Sequence, residues 1–368
     1  MMGELTANKL IYWMTQIPQF GAIRIRSVYE SCETIGELYN IEGMELRRRG
    51  IVRQTEADLW DRARETRERA FNQFDLLEQR GIRFFTPLDV EYPSRLRSLP
   101  DYPMGLYVKG KFPDEDRPTV AIIGARACTP FGSQMAVQIA GTLAKEGIQI
   151  VSGLAAGIDG AGHCGALQEE KDTYAVLGCG VNICYPREHY RIYESIIKQG
   201  GIISEYPLGT EPRKQNFPLR NRLISGLSDV IVVVEARRQS GSLITVDLGL
   251  EQGKAVFAMP GRINEPLSSG CNSLIQQGAY ILDSPQDIID HLGLKQSQML
   301  KVPEEIKITL AKKEKIVYSC LDLNPKHIDE IVKLSDTAVV ECMNILLSLE
   351  MKGHIIQTAG HYYMQKVQ

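Results

Sequence analysis

The sequence has few of the residues that build metal or disulfide sites. Its eight cysteines form no Cys-x-x-Cys pair, and none of its six histidines lies at zinc-finger spacing. The cysteines are spread along the chain at Cys32, Cys128, Cys164, Cys179, Cys184, Cys271, Cys320 and Cys342. This scatter is typical of reduced, mostly buried thiols in a cytosolic protein. We therefore expect no metal ion and a cytoplasmic location.

Long apolar segments are also missing. No run approaches the roughly 18 apolar residues that a membrane span needs. The segment 1–21 contains apolar residues, but it lacks the basic start and the uninterrupted apolar core of a secretory signal. We therefore expect a protein without a membrane partner.

The sequence has no large excess of charge of one sign. Its 368 residues include 42 lysines and arginines against 45 aspartates and glutamates, which leaves a net charge of −3. This balance gives no overall attraction to nucleic acid, so a nucleic-acid site would have to be a local basic patch. The length predicts roughly two or three domains.

Residues 1–80 have the apolar spacing of helices and predict a helical module. Helices are predicted at Leu5–Thr15, Ile23–Ser31, Ile35–Tyr39 and Thr55–Arg80. The turn Ile17–Gly21 weakly resembles a helix-hairpin-helix, whose turn amides bind the DNA backbone, so the module is helix-hairpin-helix-like or SAM-like. A packing or dimer-support role is the favoured interpretation.

From residue 119 to about residue 293 the sequence alternates strands with helices. A connector, residues 81–118, precedes them with strand-like pieces at Ile82–Thr86 and Met104–Val108. The strand-like runs are Val120–Ile123, Ile148–Val151, Tyr174–Leu177, Gly201–Ser204, Val230–Glu235, Ala255–Met259 and Tyr280–Leu282. Apolar runs separated by helices predict parallel strands buried on both faces. We therefore predict a Rossmann-like, doubly wound, mostly parallel α/β sheet within residues 81–294.

The last part of the chain predicts a separate winged-helix-like domain. Residues 295–310 are polar and are interpreted as a linker, and residues 311–368 follow as the domain. Helices are predicted at Ala311–Leu321, Ile328–Leu334 and Thr337–Lys352, and strands at Ile355–Thr358 and Tyr362–Gln365. Three helices and a hairpin are the outline of a winged helix. Its third helix is acidic, so contact with protein fits it at least as well as contact with DNA.

Two loops of small residues should meet at the carboxyl edge of the predicted sheet. One contains Gly124-Ala125-Arg126, and the other is Ser152-Gly153-Leu154-Ala155-Ala156-Gly157-Ile158-Asp159. Small residues leave backbone amides open to an anion, and the following helix N-terminus favours negative charge. We interpret the pair as a phosphate site, in preference to tight packing between two turns.

A basic loop with an aromatic residue should reach the same edge. Its sequence is Glu211-Pro212-Arg213-Lys214-Gln215-Asn216-Phe217-Pro218-Leu219-Arg220-Asn221-Arg222. Arginine forks suit phosphates, and Phe217 could stack on a base. The alternative is a solvated basic loop, but the interleaved aromatic residue and the flanking prolines favour nucleic acid.

Two more loops follow strands of the sheet. Residues 237–245 open a helix after a buried strand, which is a geometry suited to anions. Residues 178–186 contain Gly-x-Gly, but the full Gly-x-Gly-x-x-Gly fingerprint and its acidic ribose-binding residue are missing, so we expect no cofactor. No side chain is a convincing catalyst, because His163 and His189 lack a nucleophile partner and nothing near Cys128 in sequence would activate it.

Taken together and in this order, the loops resemble the DprA/Smf family of DNA-processing proteins. The matching segments are Gly124-Ala125-Arg126, Ser152 to Asp159, Phe217-Pro218-Leu219-Arg220-Asn221-Arg222-Leu223-Ile224-Ser225-Gly226-Leu227-Ser228, Ser240-Gly241-Ser242-Leu243-Ile244-Thr245 and Pro260-Gly261. They cover the central domain, and the flanking modules fit the three-part layout of many members. Ala125 stands where many members have serine, which removes a hydroxyl donor but leaves the backbone contact.

The resemblance implies a homodimer, formed through the central domain, that binds single-stranded DNA without sequence preference. It further implies that the protein protects incoming strands during natural transformation and loads the RecA recombinase onto them. The implied DNA-binding residues are Arg126, Ser152, Gly153, Gly157, Lys214, Phe217, Arg220, Asn221, Arg222, Ser240, Gly241, Thr245 and Lys254. Among them, Arg126, Ser152 and Gly153 would cradle phosphate. Lys214, Arg220 and Arg222 would line the basic pocket, and Phe217 would meet a base. Thr245 and Lys254 would complete the wall.

An enzyme is the alternative reading. The lysine-decarboxylase-like nucleotide phosphoribohydrolases share this broad fold and carry the motif Pro-Gly-Gly-x-Gly-Thr-x-x-Glu. Leu248 stands where that motif has its glutamate, and Asp247 would point about 100° away from it on a helix. Without this carboxylate, hydrolysis of a glycosidic bond loses its polar catalytic group. We therefore expect a binding protein and no catalytic residue.

Overall fold

A computed structural model describes residues 5–294 and 312–366 of the chain. The chain forms two compact units, of which the larger holds a nine-stranded sheet and the smaller a three-stranded sheet. The predicted linker, residues 295–310, lies outside the described residues. Within the described ranges, no helix has the length and apolar character needed to cross a membrane.

The larger unit begins with a group of short helices. They are α1 (Ala7–Thr15), α2 (Ala22–Glu30), α3 (Ile35–Asn40), α4 (Gly43–Arg48), α5 (Gln54–Glu65) and α6 (Arg67–Asp75). Trp13 and Trp60 form their core, with ring centroids 4.7 Å apart. Each indole is buried, and its N–H donates to a backbone carbonyl oxygen, that of Ala63 for Trp13 and that of Ile41 for Trp60. A buried indole needs such an acceptor, so the two tryptophans orient the helices around them.

Two details of this helical group were not predicted. The single helix expected over Thr55–Arg80 is wrong, because Thr66 (φ −105°, ψ 7°) ends α5 and α6 begins at the next residue. The helix α4 was also missed. Its first residue, Gly43, packs so closely on α5 that a Cβ there would lie 2.3 Å from the carbonyl oxygen of Ala57.

The sheet has the predicted Rossmann-like, mostly parallel arrangement. Its strands are β1 (Arg83–Phe85), β2 (Leu106–Gly110), β3 (Thr119–Ile123), β4 (Gln149–Ser152), β5 (Thr173–Val176), β6 (Gly201–Ser204), β7 (Val230–Val233), β8 (Ala255–Ala258) and β9 (Tyr280–Ile281). Their spatial order is β1-β2-β6-β5-β4-β3-β7-β8-β9. The strands from β3 to β9 pair in parallel, whereas β1 and β2 add to one edge in the antiparallel sense. The connector therefore extends the sheet.

Helices separate the parallel strands. They are α8 (Pro130–Lys145), α9 (Ile158–Gln168), α10 (Tyr190–Gln199), α11 (Asn216–Leu227), α12 (Ser242–Glu251) and α13 (Ser269–Gln276). Two further helices are α7 (Ser94–Arg97), between β1 and β2, and α14 (Pro285–His291), after β9. Both faces of the sheet are buried, because successive side chains of one strand point to opposite sides. Ala175 and Ile202 thus belong to one apolar cluster, and their neighbours Val176 and Ile203 to the other.

The smaller unit is a winged helix, as predicted. It contains α15 (Lys312–Ser319), β10 (Lys326–His327), α16 (Ile328–Ser335), α17 (Val339–Met351), β11 (Ile355–Thr358) and β12 (Tyr362–Gln365). The strand order is β10-β12-β11, with antiparallel pairing throughout. Its core includes Val317, Ile331 and Leu346, one from each helix. The two-residue strand β10 is too short to leave a pattern in the sequence.

Candidate nucleic-acid interface

A groove of about 590 Å³ lies at the carboxyl edge of the large sheet. It forms where β3 is flanked by β4 on one side and β7 on the other, so that successive connections leave β3 in opposite directions. Doubly wound folds bind ligands at this kind of switch point. The loops after β3 and β7 and the first turns of α11 and α12 line the groove.

The structure brings most of the predicted site residues together in this groove. Those that line it are Arg126, Lys214, Phe217, Arg220, Asn221, Ser240, Gly241 and Thr245. Arg237 lines it too, although it was not among the predicted site residues. The side chains of Arg126, Lys214 and Arg237 are exposed, so three cations can reach a ligand in the groove. Three exposed cations in one groove are suited to a polyanion.

Aromatic side chains stack beside one of these cations. The guanidinium of Arg126 lies 5.1 Å from the centre of the Phe217 ring. On the same ring, Tyr185 stacks at a centroid distance of 5.7 Å with an interplanar angle of 29°, and 42% of Tyr185 is exposed. Tyr185 was not predicted as a site residue, because the Gly-x-Gly of its loop, residues 178–186, suggested only a dinucleotide fingerprint. The aromatic residue directly before Pro186 was the available signal.

Arg220 lies at the floor of the groove and is only 3% exposed. Its Nη1 donates to the carbonyl oxygen of Gly153 at 3.0 Å and also to that of Val176. Burial lowers the pKa of Arg220 to about 10, and the nearby carboxylate of Asp159 opposes that shift. The guanidinium therefore ties three chain segments together beneath the groove, rather than extending freely toward a ligand.

The predicted phosphate cradle at residues 152–159 is filled by contacts within the protein. Ser152 is fully buried and its Oγ donates to the carbonyl oxygen of Ile122 at 2.6 Å. The amide of Gly153 donates to Oδ2 of Asp159 at 3.1 Å. Neither donor points to the groove. This corrects the prediction that Ser152 and Gly153 cradle a phosphate. They hold the loop in shape instead of offering amides to an anion.

The glycines of this loop allow a buried side chain at Gly153 and a neighbouring backbone at Gly157 to approach closely. A Cβ at Gly153 would lie 2.6 Å from Nη2 of Arg220. Gly157 has a φ of +78°, and a Cβ there would lie 2.3 Å from the carbonyl oxygen of Ala125. Glycine has no Cβ and tolerates a positive φ, so only glycine fits these two positions without strain. Tight packing, the alternative set aside in the sequence analysis, accounts for these two positions.

Arg222 does not line the groove. It lies in a second pocket of about 550 Å³, where its guanidinium forms a two-pronged salt bridge with Glu205 and another with Asp101. On a helix, residues two apart point in very different directions, so Arg220 and Arg222 cannot share a target. The prediction that both grip one ligand is therefore wrong in its geometry.

Lys254 is also placed elsewhere. It precedes β8 and so lies at the amino edge of the sheet, where it lines a pocket of about 500 Å³ with Asp229 and His291. Burial lowers its pKa from the usual value for lysine. The prediction that Lys254 completes a wall of the groove is corrected by this position.

The first turn of α12 forms the remaining wall. Its N-cap, Gly241, makes no side-chain capping bond, and Ser240 and Ser242 join through their hydroxyl oxygens at 2.7 Å. Thr245 is buried behind them, and Asn221 accepts a hydrogen bond from Nε of Arg220. The amides of Ser242 and Leu243 donate to Oγ and to the carbonyl oxygen of Ser240, so it is the positive end of the helix dipole that favours a negatively charged ligand here.

The two histidines considered as catalysts are engaged within the protein. His163 is fully buried, its Nδ1 lies 2.7 Å from Oγ1 of Thr173, and burial lowers its pKa to about 3. Nδ1 of His189 faces the carbonyl oxygen of Leu154 at 3.1 Å. Among residues 5–294 and 312–366, no group of three His, Cys, Asp or Glu side chains could hold a metal ion. Both histidines thus serve packing and loop position.

Two family models match the chain. The model of "DNA recombination-mediator protein A" matches residues 83–293, which is more than half of the chain and contains the groove. The "DprA winged helix domain" matches residues 302–361. The first match covers the nine-stranded sheet, and the second covers most of the winged helix.

Characterised relatives and solved structures resemble the chain over most of its length. Protein Smf of Escherichia coli K12 is 39% identical over 285 residues, which cover 75% of this chain and 76% of that protein. DNA processing protein DprA of Streptococcus pneumoniae R6 is 42% identical over 205 residues, or 56% of this chain and 72% of the relative.

Two solved structures extend the likeness to three dimensions. The X-ray structure of Streptococcus pneumoniae DprA superposes with a TM-score of 0.67 at 33% identity and covers 78% of this chain and 98% of that one. Helicobacter pylori DprA, in a structure described by its single-stranded DNA binding mode, has a TM-score of 0.51 at 33% identity and covers 57% and 95%. On these matches, the chain belongs to the DprA/Smf family of DNA-processing proteins.

Proposed function

We propose that this protein binds single-stranded DNA without sequence preference in the groove at the carboxyl edge of its sheet. One observation carries the proposal: the exposed cations Arg126, Lys214 and Arg237 line the same groove as a half-buried aromatic ring, Phe217. Contacts to phosphate position a strand but do not read its sequence. Stacking is similarly tolerant, because every base has an aromatic face.

The proposal fits what is known of a relative. The Helicobacter pylori DprA structure concerns single-stranded DNA binding, and that protein shares 33% of its residues with this chain. By the same resemblance we infer that this protein acts in DNA processing during natural transformation, in the cytoplasm, where it protects incoming strands and loads the RecA recombinase.

We propose a binding protein rather than an enzyme. The first turns of α12 carry Leu248 in place of the glutamate of the related phosphoribohydrolases. Asp159, the acidic side chain at the groove floor, accepts the Gly153 amide and faces Arg220, so it is engaged within the protein. Release of free base during incubation with nucleoside monophosphates would support the alternative, a nucleotide-hydrolysing enzyme.

We further propose that the central domain forms the homodimer through the β9 edge of the sheet. Tyr280 and Ile281 make up this strand and are 52% and 55% exposed. An apolar edge strand with open backbone groups is a template for pairing with another chain.

The domain boundaries are likewise proposals: a helical module over residues 1–80, the central domain over 81–294, a linker over 295–310 and the winged helix over 311–368.

A gel-shift comparison tests the proposed function. We expect the full chain to shift single-stranded oligonucleotides of different sequence equally and duplex DNA much less. Rising salt should weaken the shift, because binding releases counterions from the phosphates. Mononucleotides should compete poorly, since each supplies one phosphate. Equal binding of duplex, or efficient competition by one mononucleotide, would contradict the proposal.

A further inference from the structure

Helix α17 of the winged helix is apolar on two opposite faces. Its inward face packs into the core through Cys342, Ile345, Leu346 and Leu349. Its outward face carries a second set, Val340, Met343, Leu347 and Met351, which are 73%, 46%, 56% and 82% exposed. Spacings of three and four residues align this second set into one stripe along the helix, called here the α17 stripe. An apolar stripe on a helix normally packs against another part of a protein, so a helix with two such stripes is expected to be covered on both faces.

The α17 stripe is unsuited to DNA. In a winged helix, the helix at this position is the one that enters a DNA groove. The charged residues of α17 are Glu341 and Glu350, and the sequence contains no arginine after Arg262. The neighbouring Lys352 is engaged by Glu314, with Nζ and Oε1 2.6 Å apart. The stripe therefore offers phosphate no cation and exposes methyl and methylene groups instead.

We propose that the α17 stripe is a contact between two copies of this chain, with the two α17 helices packed antiparallel about a two-fold axis. In this arrangement Val340 faces the partner's Met351, and Met343 lies beside the partner's Leu347. A two-fold contact uses the same patch of both copies, so the apolar stripe of one copy packs against the apolar stripe of the other. Each side chain that is exposed in one chain is covered by the other.

The ends of α17 select the antiparallel arrangement. The N-cap, Ala338, has no side chain that could accept a hydrogen bond from the first-turn amides. Glu350 lies in the last turn of the same helix. When the helices are antiparallel, Glu350 of each copy reaches the uncapped N-terminus of the partner's helix, where amides and the helix dipole favour a carboxylate. A parallel pair would instead bring the two Glu350 carboxylates together.

The polar residues beside the α17 stripe also fit a contact between two copies. Asn344 and Ser348 border it on the side away from Glu350. Antiparallel packing brings Asn344 of one copy near the partner's Ser348. The Ser348 hydroxyl donates to Oε1 of Glu314 at 2.7 Å, and its oxygen can accept a hydrogen bond from the Asn344 amide. The stripe is shorter than a standard interface of about 800 Å² per partner, so we expect association at micromolar concentrations.

Sedimentation velocity of the full chain without DNA tests the contact. Because β9 is a separate proposed contact, the measurement uses an Ile281→Lys background. We expect this variant to dimerise as its concentration rises, and Leu347→Glu added to it to weaken association at least tenfold. Leu323→Glu, the same change at a residue that is 40% exposed outside the stripe, should have no effect. Thermal unfolding should be unchanged, because Leu347 is exposed.

Two outcomes would overturn the proposal. One is an Ile281→Lys chain that stays monomeric up to about 200 μM, well above micromolar affinity. The other is a dimer that Leu347→Glu leaves intact. Because no DNA is present, either result is independent of the proposed DNA binding.

Cross-linking tests the direction of the helices. Val340→Cys and Met351→Cys chains, mixed and treated with a short bis-maleimide, should link to each other far more than either links to itself. The wild-type chain controls for native cysteines. Self-linking of Val340→Cys alone would refute the antiparallel arrangement. Glu350→Lys should weaken association by about threefold to thirtyfold, because the lost contact occurs twice.

Discussion

The guanidinium of Arg222 grips the carboxylate of Glu205 with both of its terminal nitrogens, at 3.0 Å and 2.7 Å. The pair is largely buried, with 10% and 17% of the side chains exposed. Breaking a buried pair leaves an uncompensated charge, so we expect Arg222→Glu to lower the free energy of unfolding by about 3–5 kcal/mol. Urea denaturation measures this loss directly.

A matched variant tests whether the loss of stability comes from breaking the Arg222 salt bridge and not from the charge change itself. Arg213→Glu makes the same change at an exposed residue a short distance before α11, and we expect it to leave the unfolding midpoint unchanged. If Arg222→Glu were as stable as the wild type, the salt bridge would not be a structural element. A loss of DNA binding in Arg222→Glu alone would therefore say little about the groove.

The exposed cations of the groove are the better targets for a binding test. We expect the double variant Arg126→Glu/Lys214→Glu to bind single-stranded DNA at least tenfold more weakly, with unchanged stability, because both side chains extend into solvent. Arg126→Ala alone should reduce the slope of log K against log salt by about 0.7, the value for one phosphate contact on a single strand. Fluorescence anisotropy over a salt series gives both quantities.

Charge reversal at the far end of the sheet is the control for this pair. Lys198 is exposed in the last turn of α10, which leads into the amino end of β6. Lys198→Glu changes the net charge as each groove substitution does, yet it should leave affinity nearly unchanged. Equal losses in the control and the groove variants would indicate a general charge effect and reject the groove.

The stacked rings predict an aromatic contribution to DNA affinity. We expect Phe217→Ala to cost about 1–3 kcal/mol of binding free energy, the range for one stacked base. Phe217→Leu should lose nearly as much, since it keeps apolar volume but removes the aromatic face. Tyr185→Ala should weaken binding in the same direction, whereas Tyr185→Phe should not. Unchanged affinity in Phe217→Ala and Tyr185→Ala would rule out base stacking at this site.

Buried His163 predicts how stability depends on pH. Its pKa falls from 6.5 to about 3 on folding, so between these values the unfolded chain binds a proton that the folded chain does not. Stability from this residue is therefore complete above the unfolded pKa and is lost as pH falls below it. The loss should be about 1 kcal/mol between pH 6.5 and pH 5.5.

Two histidine variants check that assignment. In His163→Asn, which can still bond to Thr173, the pH dependence of the unfolding free energy should be flatter by that amount. His361→Gln, at an exposed residue, should keep the wild-type slope. If the His163→Asn chain lost stability with acid as steeply as the wild type, the slope would have another origin.

The parallel sheet could be predicted because burial on both faces leaves continuous apolar runs. Val230–Val233 is such a run, and it forms β7, an interior strand paired with β3 and β8. The break between α5 and α6 at Thr66 could not be predicted from the apolar pattern, because apolar residues recur at helical spacing on both sides of it. Backbone geometry at one residue ended α5 without changing the pattern.

The groove was predictable in outline but not in detail. Sequence shows that a residue is charged, not where its counter-charge lies. Asp101 and Glu205 are distant from Arg222 in sequence, so nothing near Arg222 marked it as buried. The small residues at 152–159 were ambiguous for a related reason, because a glycine beside a ligand and one beside another loop have the same sequence signature.

The position of β2 in the sheet has a consequence for synthesis on the ribosome. The hairpin of β1 and β2 emerges early, yet β2 pairs with β6 and not with β3, the next strand to be made. An open strand edge must therefore wait while β3, β4 and β5 are translated. Contacts between distant parts of a chain form slowly, and a waiting edge is a site for aggregation. The nascent protein is most vulnerable in this interval, which ends when Gly201–Ser204 leaves the exit tunnel.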